Sequence, residues 1–502
     1  MVIKDKRDTK GELLLWKGRL ATGGHRTDPD AYTPFEKTSP TATVEAVYSF
    51  LAVMQKTKML LETCDVPSAY LHASLPKGKK HVMRIKPLIA KYVCMADPEA
   101  KKFLQPDGSL LVQLERALYG LPESGKLWHE LLKEKLKSIG YVQMDGDSCI
   151  WRYVTKKDGK VNAVSFLLIY VDDIIHIYKR TQGGQPIRDR LHKELCKQGL
   201  PPLTCHQLTE TNSISFLGTS IQLLPGRRVF VSQPGYIAAL INSYEYKRKQ
   251  NSPLPPDYNS RKITPEKQEL LDAEHKTLYL KQLMGIAWAS RTRPDILAAV
   301  SHKQTRCASP RQVDLDDLGY MIGYLAMTPS RGIVIDCKEL QLYLYVDVGH
   351  ATHEDKKSHS GGIASCGRLG QGGVPIICKS MKQRIVALSS TEAELVGLSD
   401  LFDILLYLER LFKFLCIEEL KRPYTVYQDN TSTMTIAYLG RPSSQSRRRF
   451  IDIRYFWIKE HLDNNVARLE YLKSADQFAD VLASVRSGHA FLHQTTVIMG
   501  KP

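Results

Sequence analysis

The sequence predicts an α+β chain in which a strand-rich first half and a second strand-rich region flank a helical middle. Three observations carry this. AVSFLLIY and IIHIYK are β-rich runs separated only by Val171-Asp172-Asp173, the pattern of a tight hairpin. From about Glu266 to Met327 there is no strand-like alternation, and the segment reads as helical. From Leu342 the runs LYLYVDV, GGIASC and VPIICKS read as strands, followed by a long helix over Ser390–Phe414.

Taken in order, MVIKDKR and ELLLWKGRLA form an opening hairpin around Asp8-Thr9-Lys10-Gly11. Thr43–Met59 is an apolar-periodic helix begun by Ser39-Pro40. LLETCDV is a buried strand, and Ser68–Leu75 starts the turn or helix after it. Ser124–Ile139 is amphipathic, with Leu127, Trp128, Leu131, Leu132, Leu136 and Ile139 on one face. A second hairpin joins ISFLGTSIQLL to RRVFVSQ around Pro225-Gly226. KRKQNSPLPPDYNSRKITPEKQ, rich in proline and charge, is the expected linker. YTVYQDN is a further strand before a mixed tail.

At 502 residues the chain has room for two or three domains. No apolar run reaches the roughly 18 residues that span a bilayer, and the N-terminus does not read as a secretory signal, so an intracellular protein without a membrane partner is expected. The ten cysteines contain no Cys-x-x-Cys pair and are expected to be reduced, buried thiols. A formal net charge of +17 suits a polyanionic partner, because neutralising phosphates releases counterions.

An isolated Asp172-Asp173 reads as a solvated turn, but Asp65 at the end of MLLETCD supplies a second acid in a similar setting. A strand-end Asp with a hairpin Asp-Asp is the layout of a metal-dependent polymerase, since acids between apolar strands are costly unless they share a cation. The surrounding residues are similar to a known family. Tyr170-Val171-Asp172-Asp173 resembles the reverse transcriptase signature. WKGRLATGG, CDVPSAYLHASL, LERALYGLPESGKLW, FLGTSI, VFVSQPGYI and SRTRPDILAAVSH resemble, in order and over nearly the whole chain, blocks of copia-type LTR retrotransposon Pol proteins.

This resemblance implies a right-hand polymerase of fingers, palm and helical thumb or connection, followed by an α/β ribonuclease H-like domain. Asp65, Asp172 and Asp173 would hold two Mg²⁺ or Mn²⁺ ions. Tyr70 would exclude a 2′-hydroxyl, and Lys17 and Arg19 would be candidates for the triphosphate. Glu123 stands where the family has Gln, close to template and nucleotide, and Pro67 is also a departure.

Further on, Asp347 in LYLYVDV, Glu394 in SSTEAE, Asp429 in VYQDN and Asp480 in DQFADVL resemble, in that order, the family's ribonuclease H acids, again implying two metals. Glu394 rather than Glu392 is in register with the following apolar residues, and Glu392 would lie about 200° round the helix. His350, His353 and His359 could suggest zinc, but a loop carrying Lys356 and Lys357 and no nearby cysteine is expected to be solvated and to face phosphate. Arg447, Arg448 and Arg449 are expected to grip a nucleic-acid backbone, with Phe450 standing where the family has His.

The implied division is 1–246 fingers and palm, 247–335 linker and connection, and 336–502 ribonuclease H. The implied partners are an RNA or DNA template with its primer, the RNA–DNA hybrid, deoxynucleoside triphosphates, and integrase or capsid parts of the same polyprotein. The implied location is a cytoplasmic virus-like particle or the nucleus. Beginning inside the first finger strand, the chain reads as a processed product, a truncated copy or an expressed fragment. The rival reading is a decayed or host-recruited nucleic-acid-binding protein, against which every placeable carboxylate is present.

Overall fold

The computed structural model describes residues 2–7, 13–24, 30, 32–76, 78, 81–157, 160–179, 187–244, 248–261, 264–417, 420–439 and 449–501. The chain divides into two compact units: residues 1–42 with 64–205, and residues 43–63 with 206–502.

The first unit opens with antiparallel strands β1 (Val2–Arg7) and β2 (Leu13–Arg19). Its expected turn lies outside the described residues. Helix α1 (Val44–Thr57), capped by the Thr43 side chain rather than by Ser39-Pro40, belongs to the second unit. The chain returns to the first unit along β3 (Leu60–Asp65). A small antiparallel pair, β4 (His81–Ile85) and β5 (Leu110–Leu114), brackets α2 (Pro87–Ala96). Then come α3 (Ser124–Ser138), β6 (Val142–Met144), β7 (Asp147–Lys157), β8 (Lys160–Tyr170), β9 (Asp173–Tyr178), α4 (Ile187–Lys197) and β10 (Thr204–Gln207). The main sheet runs β10-β3-β9-β8-β7-β6. Trp128, Leu132 and Leu136 of α3 share one buried cluster with Leu191 and Leu195 of α4 and with Leu167, Ile169 and Ile174 from the strands.

Sheet neighbours explain a departure from expectation. Cys64 on β3 and Cys205 on β10 are joined as a disulfide across a sequence separation of 141 residues. Adjacent strands bring two distant thiols together, which linear spacing cannot reveal. The other eight cysteines are free.

In the second unit, ISFLGTSIQLL is itself a hairpin, β11 (Ile214–Phe216) with β12 (Thr219–Leu223), and β13 (Val229–Ser232) follows as the next strand. Helix α5 (Pro234–Asn242) follows, and α6 (Pro265–Gln268), α7 (Ala273–Ala289), α8 (Leu297–Gln304) and α9 (Gln312–Met327) fill the stretch expected to be helical. The proline-rich segment is packed: Leu254 is fully buried, and Arg261 forms a bidentate pair with Asp317 of α9. Strand β14 (Ile333–Ile335) completes the sheet β11-β12-β13-β14.

The residues of SRTRPDI form a buried ion-pair network. Arg293, fully buried, clasps Asp295 at 2.9 and 2.8 Å, and Asp295 also accepts from Tyr324 Oη at 2.6 Å. Burial opposes its charge, but Arg293 beside it holds the Asp295 carboxyl below its usual range.

The last sheet is mixed. β15 (Leu342–Gly349), β16 (His359–Cys366) and β17 (Val374–Lys382) are antiparallel. After α10 (Ser390–Phe414), β18 (Tyr424–Gln428) pairs parallel with β15. After α11 (Thr431–Leu439) and α12 (Arg449–Asp463), β19 (Ala467–Tyr471) pairs parallel with β18. The order is β17-β16-β15-β18-β19, closed by α13 (Asp480–Ala483) and α14 (Gly488–Met499). Among the described residues no helix is long and apolar enough to cross a membrane.

Candidate functional sites

In the first unit, β3 and β9 are sheet neighbours, so Asp65 at the end of one lies beside the turn that starts the other. The Val66 amide donates to the Asp172 carbonyl at 3.1 Å, fixing that juxtaposition. Tyr170 pairs with Asp173, which leaves Val171 and Asp172 as the turn. Val171 has φ +57°, a conformation that a β-branched side chain strongly disfavours. Its carbonyl accepts from Nε1 of buried Trp128 at 2.6 Å. The strained turn is thus held from behind by α3.

Asp65 and Asp172 are half-buried and Asp173 is exposed. Among the described residues these three do not form a group with ligand atoms within 4.8 Å of one another. They are neighbours on strand ends. Tyr70, in a short helical turn over Ala69–His72, packs its ring 4.7 Å from that of Tyr119. Burial, and then the Asp172 carboxylate, push its phenol up. Glu123 is buried, with Oε1 2.9 Å from His81 Nε2 at an angle outside hydrogen-bond geometry. Lys17 and Arg19 sit on β2, but their side chains lie outside the described residues.

The second acid set is tighter. Asp347 on β15, Glu394 on α10 and Asp429 just after β18 each offer a carboxylate oxygen within 4.8 Å of the others. Parallel pairing of β15 with β18 brings Asp347 and Asp429 to the same end of neighbouring strands. Gly397 lets α10 approach: a Cβ there would stand 2.5 Å from Val348 Cγ2, so this glycine admits Glu394 to the strand end. Gly361 does the same for α13, where a Cβ would stand 2.4 Å from the Ala483 nitrogen, and so positions Asp480.

Burial, followed by Asp480 and Asp429, pushes the Asp347 carboxyl up to about 7. Burial, followed by Asp347 and Asp429, pushes Glu394 up to about 9. Carboxyls held this close, and away from water, bind a proton or a cation in preference to standing charged. They line a cleft of about 440 Å³ together with Ser474 and Arg486. Asp429 accepts from Ser474 Oγ at 2.8 Å, Glu394 from Gln428 Nε2 at 3.2 Å, and Asp480 from Arg486 Nη2 at 2.7 Å. Glu392 does something else: it accepts from the Leu388 amide at 2.8 Å, closing the start of α10.

Sequence reasoning missed Ser474, Arg486 and Gln428. Only Gln428, next to Asp429, had a signal to offer. It also misjudged the histidine loop. His353 and His359 are buried, 8% and 0% exposed, and only His350 of the three is at the surface. The polypeptide after β15 folds back under α8, which linear polarity does not show. Arg447 and Arg448 lie outside the described residues, as do the side chains of Arg449 and Phe450.

Residues 1–202 match the family model of the reverse transcriptase (RNA-dependent DNA polymerase). The chain is 24% identical over 96% of its length to the retrovirus-related Pol polyprotein from transposon TNT 1-94 of Nicotiana tabacum, covering 34% of that protein. It is 26% identical over 98% of its length to the Pol polyprotein from transposon RE1 of Arabidopsis thaliana, covering 31%. It is 24% identical over 93% of its length to the Ty1-ER2 Gag-Pol polyprotein of Saccharomyces cerevisiae, covering 25%. The reverse transcriptase match thus covers residues 1–202, and nearly the whole chain is similar to the Pol polyproteins of copia-type retrotransposons. It spans about a third of the length of the first two relatives.

Among solved structures, a foamy viral protease-reverse transcriptase in complex with RNA/DNA hybrid aligns over 84% of this chain and 45% of its own. The identity is 12% and the TM-score 0.42. Ribonuclease H1 from Halobacterium salinarum aligns over 28% of this chain and 93% of its own, at 12% identity and a TM-score of 0.21.

Proposed function

We propose that the chain is an RNA-directed DNA polymerase with ribonuclease H activity, copying retroelement RNA into DNA and degrading the RNA of the hybrid. What supports this is the pair of strand-end acid sets, one inside the family-matched segment and one outside it. In this reading residues 1–246 are fingers and palm, 247–335 the helical thumb or connection, and 336–502 a ribonuclease H-like domain.

The buried, mutually repelling carboxyls of Asp347, Glu394 and Asp429 fit a divalent cation, since a shared cation relieves both their burial and their repulsion. Asp480, tethered by Arg486, would complete that set, and Asp65, Asp172 and Asp173 would hold the ions of the polymerase site. Two Mg²⁺ or Mn²⁺ ions per site, when bound, supply activation of the attacking oxygen and stabilisation of the departing one.

The chain's own residues then position substrate. Trp128 and the Val66 amide fix the acid turn, and Tyr70 closes the sugar pocket against a 2′-hydroxyl. Lys17 and Arg19 take the triphosphate, and Glu123, buried beside His81, supports the template surface from behind. Arg447, Arg448 and Arg449 grip the hybrid backbone. Template-primer, hybrid and deoxynucleoside triphosphates are the substrates, with integrase and capsid parts of a polyprotein as partners. A cytoplasmic particle or the nucleus is the place of action.

The experiment is paired assays on one preparation: primer extension on poly(rA)/oligo(dT), and cleavage of the RNA strand in a hybrid, each with Mg²⁺ or Mn²⁺. Asp172→Asn should abolish extension and spare cleavage, and Asp429→Asn should do the reverse. A folded wild-type chain that binds hybrid but performs neither reaction would instead establish the decayed or host-recruited binding protein.

A further inference from the structure

Outside the two acid sets, three histidines from three elements meet in the second unit. His302 is on α8, His353 is in the loop after β15, and His359 opens β16. One ring nitrogen from each lies within 4.8 Å of the other two. All three are buried, at 6%, 8% and 0% exposure. The His302 ring stacks on His353 at 4.8 Å and on His359 at 4.4 Å between centroids.

Their hydrogen bonds fix where the lone pairs point. Ser380 Oγ donates to the Leu482 carbonyl at 2.7 Å, so it accepts from His359 Nε2 at 2.7 Å. His359 therefore carries its proton on Nε2, and its Nδ1 lone pair faces His353 Nε2 at 2.9 Å. This is the outer-shell arrangement that orients a ligating imidazole. His302 Nε2 is buried and has no hydrogen-bond partner among the described residues. A buried imidazole nitrogen left without a partner, on a ring that meets two other imidazoles, points to something it should bind.

The neighbouring cations do not forbid a metal there, because each is paired. Lys303 sits between Asp314 and Asp317, Arg306 and Arg311 share Glu354, and Lys382 and Lys357 share Asp355. Arg261 is held by Asp317, and Tyr258 packs edge-on to His302.

We propose that His302, His353 and His359 form a transition-metal site of the three-imidazole class, with Zn²⁺ as its natural occupant and a fourth position open to water. Tetrahedral Zn–N bonds of about 2.0–2.1 Å place ligand nitrogens roughly 3.3 Å apart, so the His302 ring, stacked on the other two, turns out of the stack to bring its lone pair to the ion. On binding, the His353 proton in the present N–H···N bridge moves to Nδ1, leaving both facing nitrogens free for the ion. The cluster borders a cleft of about 550 Å³ that His302 and His353 line with Thr352 and Glu354, which gives the ion an entry path. The ion ties α8 to the β15–β16 loop, and is separate from the carboxylate set, none of whose acids it uses.

The test is metal stoichiometry on the full chain. After chelation, dialysis against micromolar Zn²⁺ and elemental analysis should find about one tightly held zinc per chain. The Asp347→Asn/Asp429→Asn double variant should retain it, which separates this site from the carboxylates. His302→Phe and His359→Gln should lose it. Co²⁺ should give intense visible d–d bands in the wild type and the carboxylate variant but not in the histidine variants. Zn²⁺ should raise the melting temperature of the wild type alone among the wild type and histidine variants. A wild-type chain that retains no zinc overturns the proposal even if a variant fails to fold. Zinc that survives His302→Phe and His359→Gln also overturns it.

Discussion

Tyr70 sits where one side chain's surroundings decide its role. Its ring is half-buried against Tyr119, and the Asp172 carboxylate is close enough to push its phenol up. Tyr70 thus shares its environment with an acid of the turn as well as with Tyr119. Tyr70→Ala is expected to raise ribonucleotide incorporation by at least about tenfold, the scale on which a pocket resolves one added group. Primer extension with ribonucleoside against deoxynucleoside triphosphates measures it. Unchanged discrimination in a folded variant would make Tyr70 a packing residue. The same scale shows what residue type alone could not foretell: Val171 looks like an ordinary strand residue, yet it takes the one left-handed position in the turn and is held there by Trp128.

At the scale of elements, α10 is fixed at both ends by different chemistry. Its second turn carries Glu394 into the acid cluster, while Glu409 farther along is clasped by Arg422 at 2.6 and 2.7 Å and by Lys413 at 2.6 Å. Burial of Glu409 opposes its charge, but these partners outweigh it and hold the carboxyl down to about 2. The unfolded value is about 4.3, so the folded state binds the proton less readily. The stabilisation is therefore complete above about pH 5 and is lost as pH falls from there through about 2. Glu409→Gln is expected to cost about 1–2 kcal/mol at neutral pH, at the low end for a charge-assisted pair because Arg422 and Lys413 reach solvent. Denaturant melts from pH 7 to pH 2.5 should show the gap between wild type and variant closing on the acid side. A gap independent of pH would assign the effect to packing instead.

For the whole molecule, the governing quantity is charge. On the proposed reading, a net +17 would make binding to a nucleic-acid hybrid largely a release of counterions. With about 0.7–0.9 of a log unit per phosphate contact, a plot of log affinity against log salt should have a slope of about −4 or steeper. Fluorescence anisotropy of a labelled hybrid between 50 and 300 mM KCl, roughly the range where such release is resolved, would measure it. A flat plot would mean that the basic residues are not the binding surface.

The sequence by itself determined the order of elements and the identity of the strand-end acids. Alternation, helical periodicity and ordered motifs are properties of neighbours along the chain, and they survive without a fold. The helical middle, the strand runs after Leu342 and the acids at strand ends were legible for that reason. Tertiary structure decided whatever depends on which strands and helices lie side by side. Pairing of β15 with β18, and the bare glycine at 397, bring Asp347, Glu394 and Asp429 together. Neighbouring β3 and β10 join Cys64 to Cys205. Packing of α8 against the β15–β16 loop replaces exposed His350 with His302 as the partner of His353 and His359. Each of these is a contact between residues far apart in sequence, set by sheet order and close approach, and no local pattern encodes it.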